Sequence, residues 1–334
     1  MAVDAQDNPG PVVLVGEATE DWAGDVRYHE YSAAADPVGS GSVPSVPVER
    51  FAASLHAGAG SRVVPLDLSD QLGTAYPATS PALLASFMVL DPGGTLTTLP
   101  DATSELYYCI DGSGSSTFVQ AAAGAPVATG TIRWATGDVV TLPAGCTTEH
   151  TADVAGRAVL YRVTDAPLLA YLGATAGAPR FAPTRYDAAA SARRLAEVER
   201  HPDAATRNRV SILLGNASHH QTLTVTHTLW AMLGVLPVGR VQRPHRHQSV
   251  ALDLIVTCVP GCFTLVGSEV DDAGDIVDPV RVDWESAGAF VTPPGLWHSH
   301  HNGSGSPAYL LPIQDAGLHS YLRSLDIRFT PPGS

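Results

Sequence analysis

Charge is scarce in this chain, and the shortage falls on the basic side. Of 334 residues 16% are charged, with 19 Lys plus Arg against 33 Asp plus Glu, a net charge of −14. So acidic a surface repels phosphate backbones and anionic lipid, which excludes nucleic acid and membrane surfaces as expected partners. A long hydrophobic run is also missing: nothing approaches the ~18 uninterrupted apolar residues of a membrane span. The first residues, Met-Ala-Val-Asp-Ala-Gln-Asp, carry neither a basic stretch nor an apolar one, so no secretory signal is expected and the location is read as cytoplasmic. Cysteine is rare as well. Cys109, Cys146, Cys258 and Cys262 are expected to be reduced thiols. Cys258 and Cys262 lack the second pair that a zinc knuckle needs.

Apolar residues, glycine and proline are plentiful. A hydrophobic content of 45% is enough for two cores, and the length fits two domains. The 26 Pro and 31 Gly recur between strand-length apolar runs such as 83–90, 104–110 and 251–258, a texture that predicts an all-β protein of barrels or sandwiches. Residues 188–200 break it with strong helix formers that stop at His201-Pro202. The expected organisation is an arm over 1–60 packed on the first barrel, a barrel over 61–180, a connector with a helix over 181–205, and a second barrel over 206–334.

An internal repeat supports that division. Gly94-x5-Pro100-x-Ala102 followed by Gly137…Pro143-x-Gly145-x2-Thr148 recurs about 145 residues later as Gly239-x5-His245-x-His247 followed by Gly288…Pro293-x-Gly295-x2-His298-x3-Asn302. The first copy has lost its histidines. Glu105 and His150 remain in it without a convergent set, so it reads as structural. In the second copy His245 and His247 lie two apart in an extended run, so both imidazoles face one side. His298 follows a Pro/Gly turn. Three neutral imidazoles with open positions opposite suit Fe, Mn, Ni or Zn.

These residues carry a resemblance. The two motifs resemble those of cupins. Pro244-His-Arg-His-Gln-Ser-Val-Ala-Leu252 and Phe290-Val-Thr-Pro-Pro-Gly-Leu-Trp-His-Ser-His-His-Asn302 are similar to the gentisate 1,2-dioxygenase group of two-barrel cupins, which includes ring-cleaving enzymes acting on salicylate and 1-hydroxy-2-naphthoate. The resemblance implies two tandem double-stranded β-helix (jelly-roll) barrels and Fe2+ on His245, His247 and His298. It further implies O2-dependent cleavage of a small hydroxylated or aminated aromatic, and a homo-dimer or tetramer. The chain departs from the family pattern in three ways. The histidines lie in the C-terminal barrel. Ala251 and Leu252 stand where general cupins carry Glu. Asp253 replaces the group's usual Arg, which predicts that gentisate and salicylate are poor substrates.

Around the triad, Asp253 shares strand parity with the ligands and His300 lies two residues past His298. These are the candidate catalytic residues. Arg243, Trp297, Gln314 and His319 are the candidate substrate contacts, with Arg240 and Arg323 as further cations for a carboxylate. Two other chemistries remain open: a non-oxidative metal enzyme (hydrolase, isomerase or decarboxylase) and a small-ligand-binding cupin.

Overall fold

The apolar runs fold as short antiparallel strands that pair into two sheets in each half of the chain. This computed structural model describes residues 13–14, 24–121 and 126–331, so most of the first 23 residues of the arm lie outside the described residues. In the first half a six-stranded sheet is ordered Thr184–Tyr186, Val139–Pro143, Ser104–Asp111, Ala158–Thr164, Leu84–Leu90, Arg62–Pro65. A four-stranded sheet is ordered Thr95–Thr98, Cys146–Ala152, Ser113–Gln120, Ala128–Ala135. The second half repeats the plan. Its six strands are Val210–Leu213, Trp230–Leu236, Ala308–Gln314, Ala251–Thr257, Ala289–Thr292 and Arg50–Phe51. Its five are Val280–Asp283, Cys262–Gly267, Trp297–Asn302, Val241–Arg246 and Arg328–Phe329.

Burial explains why the strands read as they do. Within the first half, Met88, Leu90 and Leu160 of the larger sheet pack on Phe118 and Trp134 of the smaller one. The larger sheet's other face contributes Phe87, Leu106 and Val163 to a core shared with Ala231, Leu252 and Leu311 of the second half. A sheet covered on both faces gives continuous apolar runs, and every residue of Ala158–Thr164 is buried. The outer sheet is covered on one face, and the Ser113–Gln120 strand alternates buried with more exposed positions.

Two segments sit differently from expectation. The arm packs its His56 ring edge-on against Phe87 of the first barrel at 4.7 Å, and it also contributes Arg50–Phe51 to the second barrel's sheet, with Phe51 opposite Ala289. Thr184–Tyr186, inside the expected connector, pairs with Val139–Thr141 of the first barrel's sheet. The helix itself spans Ala188–Glu199, and Asp187 caps it by accepting from the Ala190 amide at 2.9 Å. Its one buried side chain, Leu195, packs with Val210 and Val235 of the second barrel. Residues 1–45 form a separate unit, with Val13–Leu14 paired to Tyr28–His29. All four cysteines are unpaired. Among the described residues, no helix is long and apolar enough to cross a membrane.

Candidate metal centre

The strand Val241–Arg246 and its neighbour Trp297–Asn302 pair so that His245 stands opposite His298. His247, just past the first strand, joins them: one donor atom of each histidine lies within 4.8 Å of the others, and all three side chains are buried. Among the described residues this is the one cluster of three or more His, Cys, Asp or Glu with converging donors.

Each ring is set by a backbone carbonyl. His245 Nδ1–H donates to the Arg243 carbonyl at 3.1 Å, His247 to Ser249 at 2.8 Å and His298 to Leu296 at 3.2 Å. A carbonyl only accepts, so the proton sits on Nδ1 and the Nε2 lone pair is left for a metal. Burial, ahead of the neighbouring cations and imidazoles, pushes His245 and His298 well below the usual histidine range. Burial likewise pushes His247 down to about 4. The triad is therefore neutral, as ligands must be. Three oriented imidazoles with no carboxylate in the cluster fit a divalent transition metal with open positions.

Two of the triad, His245 and His247, line a cavity of about 260 Å³. Alternation along two paired strands builds it: Ser211 and Leu213 of Val210–Leu213, with Arg209 just before them, come from one, and Trp230 and Met232 from the other. Gln242, His245, His247, Gln314, Ile327 and Phe329 complete the lining. Arg209 is the cation of this cavity, and the sequence reading missed it. It is held by Gln242, whose amide oxygen, turned toward the guanidinium, accepts from Arg209 Nη2 at 3.1 Å and Nε at 2.7 Å. Arg209 Nη1 also lies 3.0 Å from the Met232 sulfur.

The other candidates scatter. Gln314 lines the cavity and accepts from Ser249 Oγ at 2.9 Å, beside His247. Arg243 does not line it; its guanidinium donates to the Thr330 carbonyl at 3.0 Å. Trp297 stacks under Arg246, 5.0 Å from the ring centre, on the strands' other side. His319 is on the helix Ala316–Leu322, its Nδ1 2.9 Å from Ser324 Oγ. Arg240 is half-buried and Arg323 exposed, and neither lines the cavity. Asp253 is buried as its parity predicts, but it accepts from Thr292 Oγ1 at 2.7 Å and is not part of the cavity lining. Burial, partly offset by that bond and by Arg209, pushes it up to about 6.

His300 is buried against Thr264, with Nδ1 2.8 Å from Oγ1, and its Nε2 lies 3.5 Å from Arg209 Nη2. Trp284 donates to the same Thr264 hydroxyl at 2.8 Å. The first barrel repeats this unit: Trp134 donates to Ser116 Oγ at 2.9 Å, and Ser116 Oγ meets His150 Nδ1 at 2.8 Å. There, Thr98 stands opposite Thr148 as His245 stands opposite His298. The residues matching His245 and His298 are therefore Thr98 and Thr148, and the alignment of Pro100 with His245 shifts by two. Glu105 is buried in the first barrel and accepts from Tyr107 and, at 2.8 Å, from Arg162 Nη2.

Comparison with known proteins agrees with this architecture. No protein-family profile matches the chain. Over 107 residues it is 31% identical to 1-hydroxy-2-naphthoate 1,2-dioxygenase of Nocardioides sp. (strain KP7), a match covering 32% of the chain and 24% of that protein's length. Salicylate 1,2-dioxygenase from Pseudaminobacter salicylatoxidans superposes with a TM-score of 0.64 at 15% identity, covering 85% of this chain and 88% of that one. Its structure with gentisate adducts gives 0.67 at 14% identity, covering 91% and 90%. A variant of Bacillus subtilis oxalate decarboxylase gives 0.52 at 14% identity, covering 79% and 76%. The chain thus has the fold of these two-barrel cupins.

Proposed function

We propose that this protein is a non-haem iron(II) dioxygenase that cleaves the ring of a small hydroxylated aromatic carboxylate in its C-terminal barrel. The observation that carries this reading is the joint placement of Arg209 with His245 and His247 in the lining of one largely apolar cavity. His245, His247 and His298 hold the metal. Iron bound there supplies sites for O2 and for a substrate presenting adjacent oxygens.

The protein's own groups do the rest. Arg209, held by Gln242 through Nε and Nη2, meets the substrate carboxylate with its Nη1 N–H, which has only the weak Met232 sulfur beside it. Leu213, Trp230 and Met232 give the ring an apolar bed and keep water out. Gln314 presents a buried amide beside His247, and His300 positions Arg209 from behind. The carboxylate that Asp253 was expected to repel is met instead by Arg209, so gentisate and related acids become the first substrates to try.

The test is anaerobic purification, metal quantification, and an oxygen electrode read against a panel of hydroxylated and aminated aromatic acids. Iron at one per chain with O2 uptake on a hydroxylated aromatic acid is the expected result. Zinc or manganese with turnover in the absence of O2 replaces this reading by a non-oxidative one.

A further inference from the structure

After the helix Ala316–Leu322 the chain reverses at Arg323, which takes φ of +61°, and then runs extended along the metal-carrying strand. Phe329 pairs with His245 and Arg328 with Arg246. Further bonds fix this tail. The Asp326 amide donates to Gln248 Oε1 at 2.9 Å, the Thr330 amide to the Pro244 carbonyl at 3.0 Å, and Arg243 Nη1 to the Thr330 carbonyl at 3.0 Å. So much anchoring for a two-residue strand calls for a reason.

Alternation along the tail turns Ile327 and Phe329 to one side, and both line the cavity of the metal centre. The Phe329 ring lies nearly parallel to His245, with centroids 5.6 Å apart and planes at 16°. Phe329 keeps 50% of its surface exposed and Ile327 37%, and neither belongs to a hydrophobic core cluster. Core packing therefore does not explain them. Two large apolar side chains, held open beside His245 and lining the same cavity as the half-buried Arg209, are placed to receive a flat apolar group.

We propose that Ile327 and Phe329 are specificity-determining residues that form the ring-binding platform of the cavity, with Arg243 as the positioning residue that holds their strand in place. The platform rests on the reading of the site as one for an aromatic carboxylate, and it adds which part of the chain selects the ring. Aromatic faces prefer offset or edge contact with another ring, so a planar ligand gains more here than a saturated ring of equal size.

The test uses the iron-loaded protein under argon, titrated calorimetrically with gentisate, 1-hydroxy-2-naphthoate and cyclohexanecarboxylate. Phe329→Ala is expected to weaken the aromatic acids about tenfold or more, with cyclohexanecarboxylate changed much less. Phe329→Trp restores most of the affinity, and iron content stays that of the native protein. Arg243→Ala, which frees the tail without touching the lining, weakens the same two ligands about three- to tenfold. If Phe329→Ala loses iron or fails to fold, Phe329→Leu carries the test, since it keeps the bulk and loses the ring. Native-like aromatic binding by Phe329→Ala or Phe329→Leu overturns the platform and leaves the functional reading standing. An iron-loaded native protein that binds neither aromatic acid overturns that reading, and the platform with it.

Discussion

A histidine whose Nδ1–H is fixed on a main-chain carbonyl can neither turn nor change tautomer, and that is the state of His245, His247 and His298. Losing one of three such ligands leaves two donors, too few to hold a divalent ion against water. His245→Ala, His247→Ala and His298→Ala should each abolish bound metal, measured by plasma mass spectrometry, while His150→Ala retains it. A folded His245→Ala protein with full stoichiometry sinks the site. Arg209 offers the second test at this scale. Truncating one partner of a buried charge pair costs about 2–5 kcal/mol, so Arg209→Leu should raise KM for an aromatic carboxylate about thirtyfold or more. Its effect on the corresponding phenol without the carboxylate should be small; equal losses on both would deny Arg209 its partner.

The triad's convergence was legible in the sequence because strands fix side-chain direction by parity, and the two motifs carry all three histidines of the cluster. Arg209 was not. It lies 36 residues before His245, and only the pairing of Val210–Leu213 with Trp230–Leu236 brings it to the cavity. Arg243 misled for a related reason: a cation one residue from Pro244-His245 looks close in sequence, yet the strand turns it toward the tail. Asp253 was correctly placed inside, but parity says nothing about the Thr292 hydroxyl that engages it.

Among elements, the repeat was visible as a spacing of glycines and prolines, while its conserved interior was hidden. The Trp–hydroxyl–His unit joins residues from three strands or their ends, and no local pattern announces it. It recurs around His150 in the first barrel, where no such triad converges among the described residues, so packing alone accounts for it there. Both hydroxyls accept from a buried indole, so removing either leaves an N–H unsatisfied at about 1–3 kcal/mol. Ser116→Val and Thr264→Val should therefore destabilise the protein by similar amounts in urea melts. Ser116→Val should leave iron content untouched. A neutral Ser116→Val would mean that water replaces the hydroxyl. The strands Arg50–Phe51 and Thr184–Tyr186 escaped the sequence for another reason. Each is three residues or fewer, and its sheet is chosen by tertiary neighbours rather than by local pattern.

Across the whole molecule, the buried His150 and the half-buried His227, both outside the histidine triad, tie stability to pH. Burial, then Arg162, pushes His150 down to about 3 from its ordinary 6.5. Burial, then His219 and Arg180, pushes His227 down to about 4. Such a group is neutral in the fold while the unfolded chain takes up a proton, so its contribution is present above pH 6.5 and lost as pH falls toward the folded value. Two carboxylates act in the opposite sense. Burial raises Asp253 to about 6 and Asp315 to about 7, so their contribution is present at low pH and is lost as pH rises through those values. The two sets offset each other between about pH 4 and 6, which makes the native slope a poor readout, while a difference between two proteins isolates one group. In chelator-treated protein, stability should therefore fall with decreasing pH more steeply for the native chain than for His150→Asn. The gap grows by about 1.4 kcal/mol per pH unit below the histidine's ordinary pKa. Urea melts of the two proteins at about pH 6 and about pH 5 measure it. Parallel slopes would show that His150 takes up its proton in the fold as readily as in the unfolded chain. The Trp134–Ser116–His150 unit would then be open to water, not sealed within the barrel.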